Sequence, residues 1–158
     1  MASWEEIERS VPELAGRARR LFEAGRHKSI ATVRADGAPR ISGIECEFVD
    51  GELRFGSMNG ARKGADLRRD PRFALHGPTF HPAEGREAEW SGEAKVAGRA
   101  VPSGPVGPSD GDTDGEADGE MFTADVTEVV VTGLSDDGAV LVIESWTPHR
   151  GYRRIERV

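Results

Sequence analysis

Cysteine is nearly absent from this sequence: Cys46 is the only one in 158 residues. No intramolecular disulfide can form, and the composition suits a reducing compartment, so a cytoplasmic location is expected. Long apolar runs are missing too. None approaches the roughly 20 residues needed to cross a bilayer, and the first residues hold no apolar signal core, so neither a membrane span nor an export signal is expected. Positive charge is short overall, with 21 Lys and Arg against 28 Asp and Glu, a net charge of −7. A chain without a cationic footprint is not expected to bind nucleic acid or an anionic membrane surface. Apolar residues make up only 37% of the chain. Much of that dilution comes from one stretch, residues 102–119, which reads PSGPVGPSDGDTDGEADG.

What is present suffices for one ordinary domain, 1–158, able to bury a core without disulfides or a structural metal. Ser3-Trp4-Glu5-Glu6 has the form of a capping box and starts a helix over 3–9. Ser10-Val11-Pro12-Glu13 repeats the form and starts a second helix over 11–24, ended by Gly25. Val11, Leu14, Ala18, Leu21 and Phe22 give that helix one apolar face, read as a packing face. Strand signals follow at 27–34, 41–49, 52–57, 72–76, 88–101, 122–132 and 140–146. Asp36-Gly37, Asp50-Gly51 and Asp136-Asp137-Gly138 mark turns between them, and Asp50-Gly51 is the strongest hairpin signal. A short helix over 61–69 follows the third strand and stops before Asp70-Pro71. About seven antiparallel strands with few helices predict a mainly β fold, a closed or partly open barrel, since closure removes exposed edges.

The stretch 102–119 has no apolar periodicity and reads as a disordered surface insert. Asp110, Asp112, Asp114 and Gly115 match the first half of a calcium loop, but Met121 stands where a bidentate Glu belongs, and no metal site is expected. The four histidines, His27, His76, His81 and His149, lack metal-ligand spacing and read as structural or exposed. Cys46 has no local cue that would activate it as a nucleophile. Trp146 to Tyr152 places aromatics among basic residues. Either it closes over a ligand, or it is a terminal strand packed on the barrel, and the second reading is favoured.

The informative stretch is 51–73, GELRFGSMNGARKGADLRRDPRF. A strand ends at Ser57, a glycine-containing loop follows, and Arg62 and Lys63 fall in the first turn of a helix. Helix N-termini offer free N–H groups and a positive dipole end, which suit a phosphate. Arg62 can grip phosphate oxygens with its fork and Lys63 can add a point charge. The same spacing also fits two solvated side chains that flank a loop.

Residues 27–132, less the acidic stretch, resemble the pyridoxamine 5′-phosphate oxidase-like superfamily, the FMN-binding split β-barrels. The features that carry the resemblance are ATVRADGAPR, DGELRFGS, RKGADLRRDPR, EAKVAGRAV and FTADVTEVVVT, in that order. The resemblance implies a Greek-key split barrel that forms a homodimer, with FMN, or the deazaflavin coenzyme F-420 in its place, held where the protomers meet. It implies that Arg62 and Lys63 bind the cofactor phosphate and that backbone at Gly56 and Ser57 lines the ring or its ribityl chain. The second strand, at Ile41, Ser42 and Gly43, would lie beside the ring. The oxidase proper carries Arg and Lys on that strand where this chain has Ser42 and Glu47, a Gln where it has Glu93, and a Trp where it has Thr132. Those losses argue against pyridoxamine-phosphate oxidation. The expected function is a flavin- or deazaflavin-dependent oxidoreductase acting on a small organic substrate. The alternatives are a non-catalytic carrier of flavin, deazaflavin or haem, and a dimeric scaffold that binds no cofactor. Few catalytic side chains are expected, because the ring carries the hydride and the protein binds and orients it.

Overall fold

The computed structural model describes residues 2–106 and 118–158. Two helices, α1 (Trp4–Ser10) and α2 (Pro12–Glu23), precede the strands β1 (Lys28–Val33), β2 (Pro39–Ile44), β3 (Cys46–Val49) and β4 (Glu52–Met58). Helix α3 (Arg62–Arg69) leads into β5 (Arg72–His76), β6 (Glu93–Val106), β7 (Gly119–Leu134), β8 (Leu141–Thr147) and β9 (Gly151–Arg157).

The capping box at Ser3 forms as read: the Glu6 amide donates to Ser3 Oγ and the Ser3 amide to Glu6 Oε2. The second one does not form. Ser10 is the last residue of α1, and Val11 caps α2 without a side-chain bond. Leu14, Ala15, Ala18 and Phe22 are the buried face of α2. They join Trp4, Ile7, Phe55, Phe122 and Val129 in one core. Full burial of each large side chain is worth about 1.5–3 kcal/mol.

All strand pairing among the described residues is antiparallel, in the order β2-β1-β5-β6-β7-β4-β3, with β8 on β7 and β9 on β8. The two ends of that path, β2 and β3, are consecutive in the chain, with only Glu45 between them. The sheet therefore curls until its edges meet through the chain rather than through a hydrogen-bonded ladder. This is a split β-barrel, not a closed one. Nine strands replace the expected seven for two reasons. The single run read at 41–49 divides, because its first part pairs with β1 (Lys28↔Ile44) and its second with β4 (Cys46↔Phe55). The C-terminal segment adds β9. The short helix consequently follows the fourth strand. Asp50 and Gly51 turn β3 into β4 with φ of 52° and 74°, the left-handed pair a two-residue hairpin needs.

The expected insert at 102–119 is corrected at both ends. β6 continues through Val106 and β7 begins at Gly119, paired Val106↔Gly119. The prolines Pro102 and Pro105 are tolerated because β5 pairs with β6 only up to Arg99, which leaves this end of β6 an edge where a missing N–H costs little. Residues 107–117, with the calcium-like pattern at Asp110 to Gly115, lie outside the described residues. The strand read at 88–101 starts later, at Glu93, after a 3-10 turn at Glu87–Glu89.

Candidate functional site

The sequence places α3 by its charges. Asp66 is buried, 3% exposed, and accepts hydrogen bonds from Thr32 Oγ1 at 2.8 Å, Arg40 Nε at 2.7 Å and Arg69 Nη2 at 3.1 Å. Burial opposes its charge, but those three donors outweigh burial and hold the Asp66 carboxyl below its ordinary range. On the other flank Arg68 pairs with Glu120 of β7. The helix is thus pinned to the β1–β2 hairpin on one side and to β7 on the other. The fit is close where α3 begins: a Cβ on Gly64 would stand 2.6 Å from Ser57 Oγ. Any side chain there would have to displace the Ser57 hydroxyl for the first turn of α3 to rest on the end of β4.

Where β2 and β3 part, a groove of about 1140 Å³ runs along β3, β4 and the start of α3. That volume is enough for a cofactor-sized ligand. Its walls include Gly43, Gly56, Ser57 and Lys63, four of the seven residues singled out from sequence. Arg62, the first residue of α3, is exposed and adjoins the groove through Lys63 without lining it. Ile41, 79% exposed, shares the outward face of β2 with Gly43 but is not in the wall. Ser42 is half-buried on the opposite face and is not brought to the groove. Among the described residues neither Arg62 nor Lys63 has an ion-pair partner, whereas Arg40, Arg54, Arg68 and Arg69 around them are all paired. The α3 amides lack a side-chain cap. An anion would find two uncommitted cations and free backbone donors there.

Sequence reasoning missed other groove residues: Arg26, His27, Lys28, Cys46, Phe55 and Met121. Lys28 was legible from alternation, since it shares the inward face of β1 with Ile30 and Thr32. Cys46 is in the groove yet is no nucleophile, because burial pushes its thiol up to about 11. At pH 8 iodoacetamide should alkylate native Cys46 roughly a hundredfold more slowly than a cysteine of ordinary pKa near 8.5. A rate equal to that of the denatured chain would contradict the assignment. Glu93 bonds His76 and Lys95 and faces Thr132 across the ladder, outside the groove, while Glu47 lies within it. Trp146 packs in the core, whereas β9 pairs with the edge of β8 and is largely exposed, its Tyr152 donating to Glu144 Oε1.

No group of three metal-ligating side chains occurs among the described residues, and no helix there is long and apolar enough to cross a membrane. Two further grooves, one along the loop before β6 and one between α2 and β7–β8, contain none of the seven candidate cofactor-site residues.

A family model described as pyridoxamine 5′-phosphate oxidase matches residues 14–112. No curated protein matches. Several solved structures share the architecture. A pyridoxamine 5′-phosphate oxidase-related, FMN-binding protein from Nostoc punctiforme PCC 73102 is 14% identical, with 100% of this chain and 98% of that one covered and a TM-score of 0.62. A heme binding protein from Mycobacterium smegmatis is 20% identical over 85% of this chain and 57% of its own, with a TM-score of 0.59. An F-420 reductase is 20% identical over 69% of this chain and 92% of its own, with a TM-score of 0.53. Identities this low establish the shared fold.

Proposed function

Since this chain belongs to the pyridoxamine 5′-phosphate oxidase family, we propose that it is a flavin- or deazaflavin-dependent oxidoreductase acting on a small organic substrate. The observation that carries the reading is the pair Arg62 and Lys63, unpaired among the described residues and standing at an uncapped helix start on a cofactor-sized groove. Arg62 and Lys63 would hold the phosphate of FMN or F-420. The backbone at Gly56 and Ser57 would line the ribityl chain, and the outward face of β2 at Ile41 and Gly43 would lie beside the ring. Nothing stands within 4 Å of where a Gly43 side chain would begin, so that face is open to a flat ligand. When bound, the ring supplies hydride transfer. The protein's part is to fix the phosphate, orient the ring and exclude water from one of its faces. Ser42, half-buried and uncharged, and the anionic Glu47 offer no cation to a vitamin B6 phosphate, which supports a substrate other than pyridoxamine phosphate.

Purified protein mixed with FMN or F-420 should show the bound chromophore, and NADPH or reduced deazaflavin should reduce it in turnover with substrate. Binding without any reduction would make the protein a carrier instead. The reading also includes a homodimer. Ile41 and Met58, 79% and 76% exposed, are large apolar side chains near the groove that a second copy would cover. Light scattering should give about twice 17.1 kDa. A monomer at micromolar concentration would remove the basis for a shared site.

A further inference from the structure

Lys28 is a buried cation that the fold does not use. It faces inward on β1 with Ile30, a core residue, and Thr32, which holds Asp66, and it is only 8% exposed. Its ammonium has three protons, and one is engaged, with the carbonyl of Arg26 at 3.2 Å. Among the described residues no carboxylate comes within ion-pair distance. Glu45 of the same groove pairs with Arg26, and Glu47 is exposed. The other two protons of Lys28 have no hydrogen-bond partner among the described residues. Lys28 lines the groove that Lys63 lines.

The two lysines line the groove at different points along β4. Lys28 pairs with Ile44, two residues before Cys46, and Cys46 faces Phe55 across the ladder. Lys63 adjoins Gly64, which rests on Ser57, two residues further along β4. A molecule anchored by phosphate at Lys63 would present its other end toward Lys28. Resting on the flavin or deazaflavin reading, we propose that Lys28 is the positioning residue for the pyrimidine edge of the ring and favours its reduced state. A ring that has taken up two electrons and one proton carries a delocalised negative charge on that edge, and Lys28 supplies the counter-charge.

The test is Lys28→Met, which keeps the aliphatic stem, with Lys28→Gln read in the same way if the methionine variant does not fold. Redox titration of the FMN-loaded protein with dithionite should show the reduced ring losing about tenfold more affinity than the oxidised one. That is a midpoint about 30 mV more negative for a two-electron couple. Lys28→Arg should restore it. Without cofactor, Lys28→Met should melt no lower than the parent. An unchanged midpoint in the loaded variant, or a cofactor-free variant that melts well below the parent, overturns the role of Lys28 alone. A parent that takes up neither FMN nor F-420 overturns the reading beneath it and this role together.

Discussion

Replacing Arg62 and Lys63 together by alanine is expected to weaken FMN or F-420 binding by about two orders of magnitude or more. A charge-assisted hydrogen bond is worth about 1.5–3 kcal/mol, and each 1.4 kcal/mol is tenfold in affinity. The fold should survive, because Arg62 is exposed, Lys63 is half-buried, and neither holds an ion pair among the described residues. Arg62→Lys alone should still weaken binding, since an ammonium cannot reproduce the two-pronged contact of a guanidinium. The control must be chosen from the structure. Arg68, on the same helix, reads as solvated in the sequence but pairs with Glu120 and helps to pin α3. Arg99 on β6, exposed and outside the groove, is the better control and should leave affinity unchanged. Calorimetry on the parent and these three variants reads the result, and a double variant that binds like the parent removes the phosphate site.

Asp66→Ala should have the largest effect on stability. It strips the shared acceptor from Arg40, Arg69 and Thr32 and leaves the Arg40 guanidinium, 18% exposed, without its partner. Removing one member of a buried pair costs about 3–5 kcal/mol. At roughly 2–4 °C per kcal/mol for a chain of this size, the thermal midpoint should fall by about 10 °C. Cofactor affinity should fall with it, because α3 carries Arg62 and Lys63. The pH dependence follows from the sign of the shift. The folded-state pKa of Asp66 lies below its unfolded value, so its stabilising contribution is complete above the ordinary carboxylate value near 3.9 and is lost as pH falls through the lowered one. Parent and variant midpoints should therefore converge in acid. A variant that melts within a degree of the parent at neutral pH would contradict the role given to Asp66.

The parts of this molecule legible in its sequence are those fixed by local rules. Ser3 and Glu6 cap α1 by themselves, and Asp50-Gly51 dictates a hairpin whatever surrounds it. The loop at 59–61 between β4 and α3, and the helix after it, follow from a strand end, a glycine and a run of helix formers. What was not legible depends on distant partners. Residues 41–49 are extended throughout, and only the positions of β1 and β4 decide that the run serves two sheet edges. The end of β6 is strand because β7 pairs with it, against the composition of Pro102 to Val106. Arg68 looks like any solvated arginine until Glu120 arrives from 52 residues away. Lys28 shows the limit of alternation: the pattern turns it inward, but not until the groove exists is it a buried cation on a wall.

The central claim is that the groove at Arg62 and Lys63 holds a phosphorylated flavin or deazaflavin. Parallel equilibrium titrations of the purified protein with FMN and with F-420, followed by the change in ring absorption or fluorescence, test it most directly. Saturable binding of at least one of them at tens of micromolar or below, abolished in the Arg62, Lys63 double alanine variant, is the predicted result. Binding of neither at that concentration would contradict the account and leave a split barrel that serves as a scaffold.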